Sequence, residues 1–181
     1  MNILLDSGSD WFWIVDDDCW FCSGKARYDG DDSATSKMVE EDSVHLRYGS
    51  GSCKGDRIQE KVCLRTRATC EGHFCEPVCV ENMNIASITS QDVGLKGLTS
   101  DGLLGLSPVL IDERGQDLFI DAAYKQGAID EKVFSLSFAG ENGESFFTLG
   151  GYDINEFAIE DDVTWHDNIG QYFWAVNADG L

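Results

Sequence analysis

Short apolar runs broken by Gly, Ser and Asp set the rhythm of this chain. Ile3-Leu4-Leu5 is stopped by Asp6-Ser7-Gly8-Ser9, and a second run, Trp11 to Val15, follows at once. The pattern predicts a strand, a tight polar turn and a second strand, with Asp6 at the end of the first. Residues 16–37 are rich in Asp, Ser and Gly and read as surface loop. In Val44-His45-Leu46-Arg47-Tyr48 apolar and polar positions alternate, as in a half-buried strand. Gly49-Ser50-Gly51 then supplies a turn, and further strands are expected over Ile58–Leu64 and Val78–Val80.

Leu103-Leu104-Gly105-Leu106 is a compact apolar run between Asp101-Gly102 and Ser107-Pro108, and its interior glycine points to close backbone approach at a buried strand. Helical spacing appears at 117–126, where Leu118, Phe119, Ala122 and Ala123 share one face and Gly127 follows in the capping position. Phe134–Phe138 and Phe146–Leu149 flank Gly140-Glu141-Asn142-Gly143, a hairpin signal. Val163 to Val176 is expected to be strands rich in large aromatics. The whole pattern predicts an all-β chain with one short helix.

Composition changes this picture in two ways. The chain of 181 residues carries 13 basic against 33 acidic side chains, a formal net charge of −20. Such a surface repels a phosphate backbone, which sets nucleic-acid partners aside. The acidity serves simple solubility first, and it also suits an acidic compartment, where protonation relieves self-repulsion; composition does not choose between the two. No apolar run is long enough to cross a bilayer, so no membrane partner is expected. Seven cysteines, at 19, 22, 53, 63, 70, 75 and 79, are many for a reducing compartment, yet no export signal opens the chain. That conflict raises the expectation that a natural N-terminal segment is missing.

Candidate chemistry is sparse. Asp6 at a strand end, with Gly8 and neighbouring hydroxyls, has the make-up of a tuned acid/base, although Asp-Ser-Gly alone also suits any surface turn. Cys19-Trp20-Phe21-Cys22 has either disulfide or zinc-knuckle spacing, and Cys70, Cys75 and Cys79 could complete a metal site. His45, His73 and His166 have no Ser or Cys partner in a nucleophile motif, and Asp16-Asp17-Asp18 reads as a solvated loop before a calcium site.

A series of segments in one order resolves the ambiguity around Asp6. Ile3-Leu4-Leu5-Asp6-Ser7-Gly8-Ser9 with Phe12-Trp13-Ile14-Val15 resembles the first active-site segment of the pepsin-like aspartic proteases, the pepsin and cathepsin D type. Cys19 and Cys22 stand where that family has a small disulfide loop. Tyr28 to Ser36 is similar to its next loop, and Tyr48-Gly49-Ser50-Gly51-Ser52 followed by Gly55 to its flap. Asp101-Gly102-Leu103-Leu104-Gly105-Leu106, Phe134-Ser135-Leu136 and Leu149-Gly150-Gly151-Tyr152-Asp153 resemble three further segments. Tyr172-Phe173-Trp174-Ala175-Val176 looks like the aromatic strand that leads to a second lobe.

The resemblance implies an all-β pepsin-like lobe of the double-ψ barrel type, within an incomplete bilobal fold. Residues 1–160 would be most of the N-terminal catalytic lobe, and 161–181 the inter-lobe strands leading to a missing second one. Asp6 would be the first catalytic aspartate, Ser9 its hydrogen-bond partner, and Ser7 and Gly8 the supporting turn. Ser7 replaces the family's usual Thr and keeps its hydroxyl. Tyr48 would be the flap tyrosine, held by Trp13, with Gly49 and Ser50 touching substrate. Leu103 would line a hydrophobic pocket, a role compatible with core packing. A disulfide between Cys19 and Cys22 is implied, and neither cofactor nor metal.

The implied activity is endoproteolysis of extended polypeptides beside hydrophobic residues, in acid, by a parent that is monomeric and either lysosomal, vacuolar or secreted. Two carboxylates sharing a proton are needed for that chemistry, and no second Asp-Ser/Thr-Gly occurs here. The first strand before Ile3 and the second lobe are therefore expected to be absent, and this chain alone to be inactive. Two alternatives remain at this stage: a catalytically inactive pepsin-like binding protein, and a retroviral-type homodimeric protease in which each copy gives one Asp.

Overall fold

A computed structural model describes residues 1–65, 69–70, 73–74, 76–111, 113–140, 143–154 and 163–178. Ten strands and one helix are described: β1 Ile3–Asp6, β2 Phe12–Val15, β3 Lys37–Tyr48, β4 Gly51–Leu64, β5 Thr69–Cys70, β6 His73–Phe74, β7 Val78–Gln91, β8 Gly102–Gly105, α1 Phe119–Lys125, β9 Phe134–Ser137 and β10 Phe146–Leu149. The expected fold class holds: the chain is mostly β with a single short helix among the described residues.

Six strands form one mixed sheet in the order β1-β8-β2-β7-β4-β3. β1 runs parallel to β8 and β2 parallel to β7, while β2–β8, β4–β7 and β3–β4 are antiparallel. β2 lies at the centre and is buried at every position, which is why Phe12 to Val15 is a continuous apolar run without alternation. Its side chains divide between two cores. Phe12 and Ile14 join Ile58, Ile85, Leu104 and Phe119 in one, while Trp13 and Val15 join Val44, Leu46, Ala86 and Leu103 in the other. Each fully buried side chain of this size contributes about 1.5–3 kcal/mol of transfer free energy.

The three strands on one side of β2 are longer than their apolar signatures. β3 begins at Lys37, β4 at Gly51, and β7 continues to Gln91. Register shifts between Met38 and Ser43 and between Glu60 and Val62 break the period of two that alternation relies on. The helix is shorter than 117–126. Asp117 accepts hydrogen bonds of 2.9 Å from the backbone N and Nδ2 of Asn84, and Leu118 is still extended, so helical geometry starts at Phe119. Gly127 takes φ 70° just past the end, the left-handed position that favours glycine.

β9 and β10 pair as the expected hairpin, Phe134 opposite Leu149; its turn residues Glu141 and Asn142 lie outside the described residues. The tail requires a correction. Residues 163–178 form no strand, because a strand needs a neighbouring edge for its backbone groups and none of the described residues supplies one. The tail is tied instead by Trp174 Nε1 donating to Leu106 O at 2.8 Å and Ile169 N donating to Ala175 O at 2.9 Å. The proposed division at 160/161 falls outside the described residues. No described helix is long and apolar enough to cross a membrane.

Candidate active site

Asp6 is the last residue of β1 and stands opposite Gly105 of β8. The loop that follows is stitched to the end of β8: Leu106 N donates to Asp6 O at 2.8 Å, Gly105 N to Trp11 O at 2.9 Å, and Ser107 N to Ser9 O at 3.0 Å. Gly105 makes this approach possible, since a Cβ there would lie 2.6 Å from Ser9 O and 2.7 Å from the Asp10 carbonyl carbon. The interior glycine of the Leu-Leu-Gly-Leu run is thus a site requirement.

The Asp6 carboxylate is half-buried and oriented from both sides. Ser9 Oγ donates to Oδ2 at 2.7 Å and Gly8 N to Oδ1 at 2.9 Å. A carboxylate offers about four lone-pair sites, so two protein donors leave both oxygens able to bind a water or accept a proton. Ser7 is exposed in the turn. Asp10, buried next to this turn, accepts 2.7 Å and 2.8 Å bonds from Gln116 Nε2 and Ile111 N, which hold the far end of the loop.

Tyr48 ends β3 and faces Gly51 across a hairpin whose tip is Gly49-Ser50. Trp13 Nε1 donates to the Tyr48 hydroxyl at 2.9 Å, linking the central strand to the hairpin. Burial above all pushes the Tyr48 phenol up from its ordinary range, so it stays neutral. Gly49 has open space where a Cβ would be, and Ser50 is exposed. Between the hairpin and the Gly8-Ser9 turn lies a cleft of about 480 Å³ whose walls include Tyr48, Gly49, Trp11 and Arg47. Leu103 is not in those walls. It is 5% exposed, opposite Trp13 in the ladder, and packs in the core.

Cys19 and Cys22 form a disulfide. Cys79 is bonded to Cys63 directly across the β4–β7 ladder, which removes it from any zinc site with Cys70 and Cys75. Cys75 lies outside the described residues, and no group of metal-ligating side chains is found among the described ones. Asp16 to Asp18 form no such group either; Asp16 accepts a bond from Ser87 Oγ at 2.5 Å and one from Asp18 N at 3.0 Å.

Glu60 went unnoticed in the sequence. It sits at the inward position between Ile58 and Val62 and is 6% exposed. Its carboxylate accepts Tyr28 Oη at 2.6 Å, Ser33 Oγ at 2.6 Å, Lys61 N at 2.7 Å and Thr35 Oγ1. A lone carboxylate on the apolar phase of a strand was the available signal, and it anchors the 28–36 loop to β4.

The model of the family "Eukaryotic aspartyl protease" matches residues 1–181. The chain is 28% identical to a vacuolar aspartic protease of Candida albicans, the match covering 99% of this chain and 41% of that protein. Pregnancy-associated glycoprotein 1 of Bos taurus is 25% identical over 99% of this chain and 44% of its own length. Gastricsin of Cavia porcellus is 24% identical, with 99% and 43% covered. The chain therefore spans less than half the length of these relatives.

Proposed function

Because the chain belongs to the eukaryotic aspartyl protease family, we propose that it forms one lobe of an acid endopeptidase and that Asp6 is one of its two catalytic aspartates. The observation that carries this reading is the Asp6 carboxylate at a strand end, bonded to Ser9 Oγ at 2.7 Å and Gly8 N at 2.9 Å beside an open cleft. A second carboxylate, from the part of the protein outside this chain, faces it. Two such groups in contact cannot both ionise, so they share a proton and a water. The ionised member takes a proton from the water as it attacks the peptide carbonyl, and the protonated member donates to the carbonyl oxygen. The tetrahedral intermediate then collapses as the nitrogen gains a proton and the C–N bond breaks. Ser9 and Gly8 hold Asp6 through these exchanges without consuming all its lone pairs.

The hairpin of Tyr48, Gly49 and Ser50 serves as the flap over the bound peptide, with Trp13 fixing the tyrosine. Its exposed glycine tip supports this role, since a backbone with no side chain can approach an extended substrate closely. Leu103 acts from behind, by packing on Trp13. This chain alone lacks half of the acid/base pair and is inactive. The acidic composition and the vacuolar protease among its relatives support a vacuolar or secreted setting.

The test is hydrolysis of an acid-denatured protein by the full-length protein, with and without a peptide analogue carrying a hydroxyl-bearing tetrahedral carbon at the scissile position. Cleavage that the analogue blocks is expected. Absence of acid-dependent cleavage would overturn the reading.

A further inference from the structure

The wall of the cleft beside the hairpin is cationic in a chain whose net charge is −20. His45 and Arg47 lie two residues apart on β3, on the face opposite the buried Val44 and Leu46. Lys54 of β4 pairs with His45 in the ladder. Arg114 comes from the loop before α1; its guanidinium donates to His45 O at 3.3 Å and sits 5.6 Å above the Trp11 ring. Arg47 and Arg114 both line the cleft, together with Gly8, Ser9 and Trp11.

Two further observations bear on what this wall receives. The His45 imidazole is held below its ordinary pKa, first by partial burial and then by the positive charges of Arg47, Lys54 and Arg114. Trp11 is 2% exposed, and its indole Nε1 has no acceptor among the described residues. Asp10 in this wall accepts bonds from Gln116 Nε2 and Ile111 N, and Asp92, across the ladder at Ser52, accepts from Ser52 N and Oγ and from Gly94 N.

We propose that Arg47, in the cleft wall beside Arg114, is a specificity-determining residue that selects a substrate carrying an acidic side chain near the bond cut. The proposal rests on the protease reading above. Gly8 and Ser9, which hold Asp6, line the same cleft as Arg47, and an extended peptide advances about 3.3 Å per residue. The acidic side chain therefore lies near the scissile bond, at one of the peptide positions flanking it. The guanidinium fork suits a carboxylate, and because Arg47 is exposed the pairing is modest and screened by salt.

The experiment uses the full-length protein and a peptide set in which each of three positions on either side of the cleaved bond is Glu, Gln or Lys in turn. Assays run at about pH 5.5, above the ordinary carboxylate range. At one position, kcat/KM for Glu should exceed that for Gln by roughly threefold to tenfold, with Lys lower still. The Glu/Gln ratio should fall towards one in Arg47→Gln, reverse towards Lys in Arg47→Glu, and shrink with added salt. A ratio is read within each variant, so a general loss of fold or activity does not imitate the effect. Cleavage that is indifferent to charge at every position, or a ratio unmoved by Arg47→Gln, overturns this proposal alone. Failure to cleave any peptide overturns the protease reading and takes the proposal with it.

Discussion

Trp13 and Tyr48 join the buried centre of the sheet to the tip of the β3–β4 hairpin through a hydrogen bond of 2.9 Å from the indole Nε1 to the phenol oxygen. Trp13 is fully buried on β2, so the donor position is set by the core and not by the hairpin. Trp13→Phe keeps most of the ring and removes the donor. It should cost about 1 kcal/mol of stability, and lower kcat/KM of the full-length protein roughly fivefold through a loosened tyrosine. Chemical denaturation and peptide hydrolysis measured side by side check this; unchanged kcat/KM would mean that the bond plays no part in turnover.

Glu60 links acidity to stability. Burial raises its pKa, but the hydrogen bonds from Ser33, Thr35, Tyr28 and Lys61 N outweigh burial and bring it below the ordinary value. A depressed folded pKa means that the stabilisation is fully present above the unfolded pKa of about 4.3 and is lost as pH falls through the folded value. Glu60→Gln should therefore be destabilised by about 1–3 kcal/mol at neutral pH. The gap from the wild type should stay constant down to about pH 5 and close only below about pH 4. A gap that widened in acid would reverse the assignment.

Gly105 is where the strand next to Asp6 meets the backbone of Ser9 and Asp10. Gly105→Ala places a methyl 2.6 Å from Ser9 O, and should cost roughly 1–3 kcal/mol. The displaced Ser9 should also weaken the Asp6 hydrogen bond, so activity should fall further than stability explains. An alanine variant with wild-type stability would show that the loop yields easily.

Cys53 is buried on the hairpin strand, and its thiol is pushed up to about 12 by burial first and then by the Asp92 charge. It should resist iodoacetamide in the native state at about pH 8 and react promptly in denaturant, since the thiolate is the nucleophile. Peptide mapping without reductant should also recover Cys19 joined to Cys22 and Cys63 joined to Cys79. Fast native labelling of Cys53 would place it at the surface.

What could be read in advance follows from where each element's instructions lie. The β1–turn–β2 unit was legible because its apolar runs, its polar turn and its buried ladder all agree. The helix was legible in its face and its Gly127 stop, but not in its start, which depends on Asn84 capturing Asp117 from a distant strand. β3, β4 and β7 read short because their solvent-facing residues are polar and their bulges shift the phase. The Cys63–Cys79 bond depends on register between two strands, which cysteine spacing does not encode. Arg47 and Arg114 meet at one cleft only because the β3 edge and the loop before α1 come together in the fold. The tail misled because Tyr172-Phe173-Trp174-Ala175-Val176 has strand composition without a described neighbour to pair with.

The central claim is that Asp6 is a catalytic carboxylate. Its most direct test is the acid hydrolysis rate of the full-length protein with Asp6→Asn, compared with the wild type on the same acid-denatured substrate, with thermal unfolding of both recorded. The amide cannot take the proton from water or share the pair's proton, so the rate should fall by at least about a hundredfold while the unfolding temperature changes little. An Asp6→Asn protein that cleaves at the wild-type rate would contradict the account.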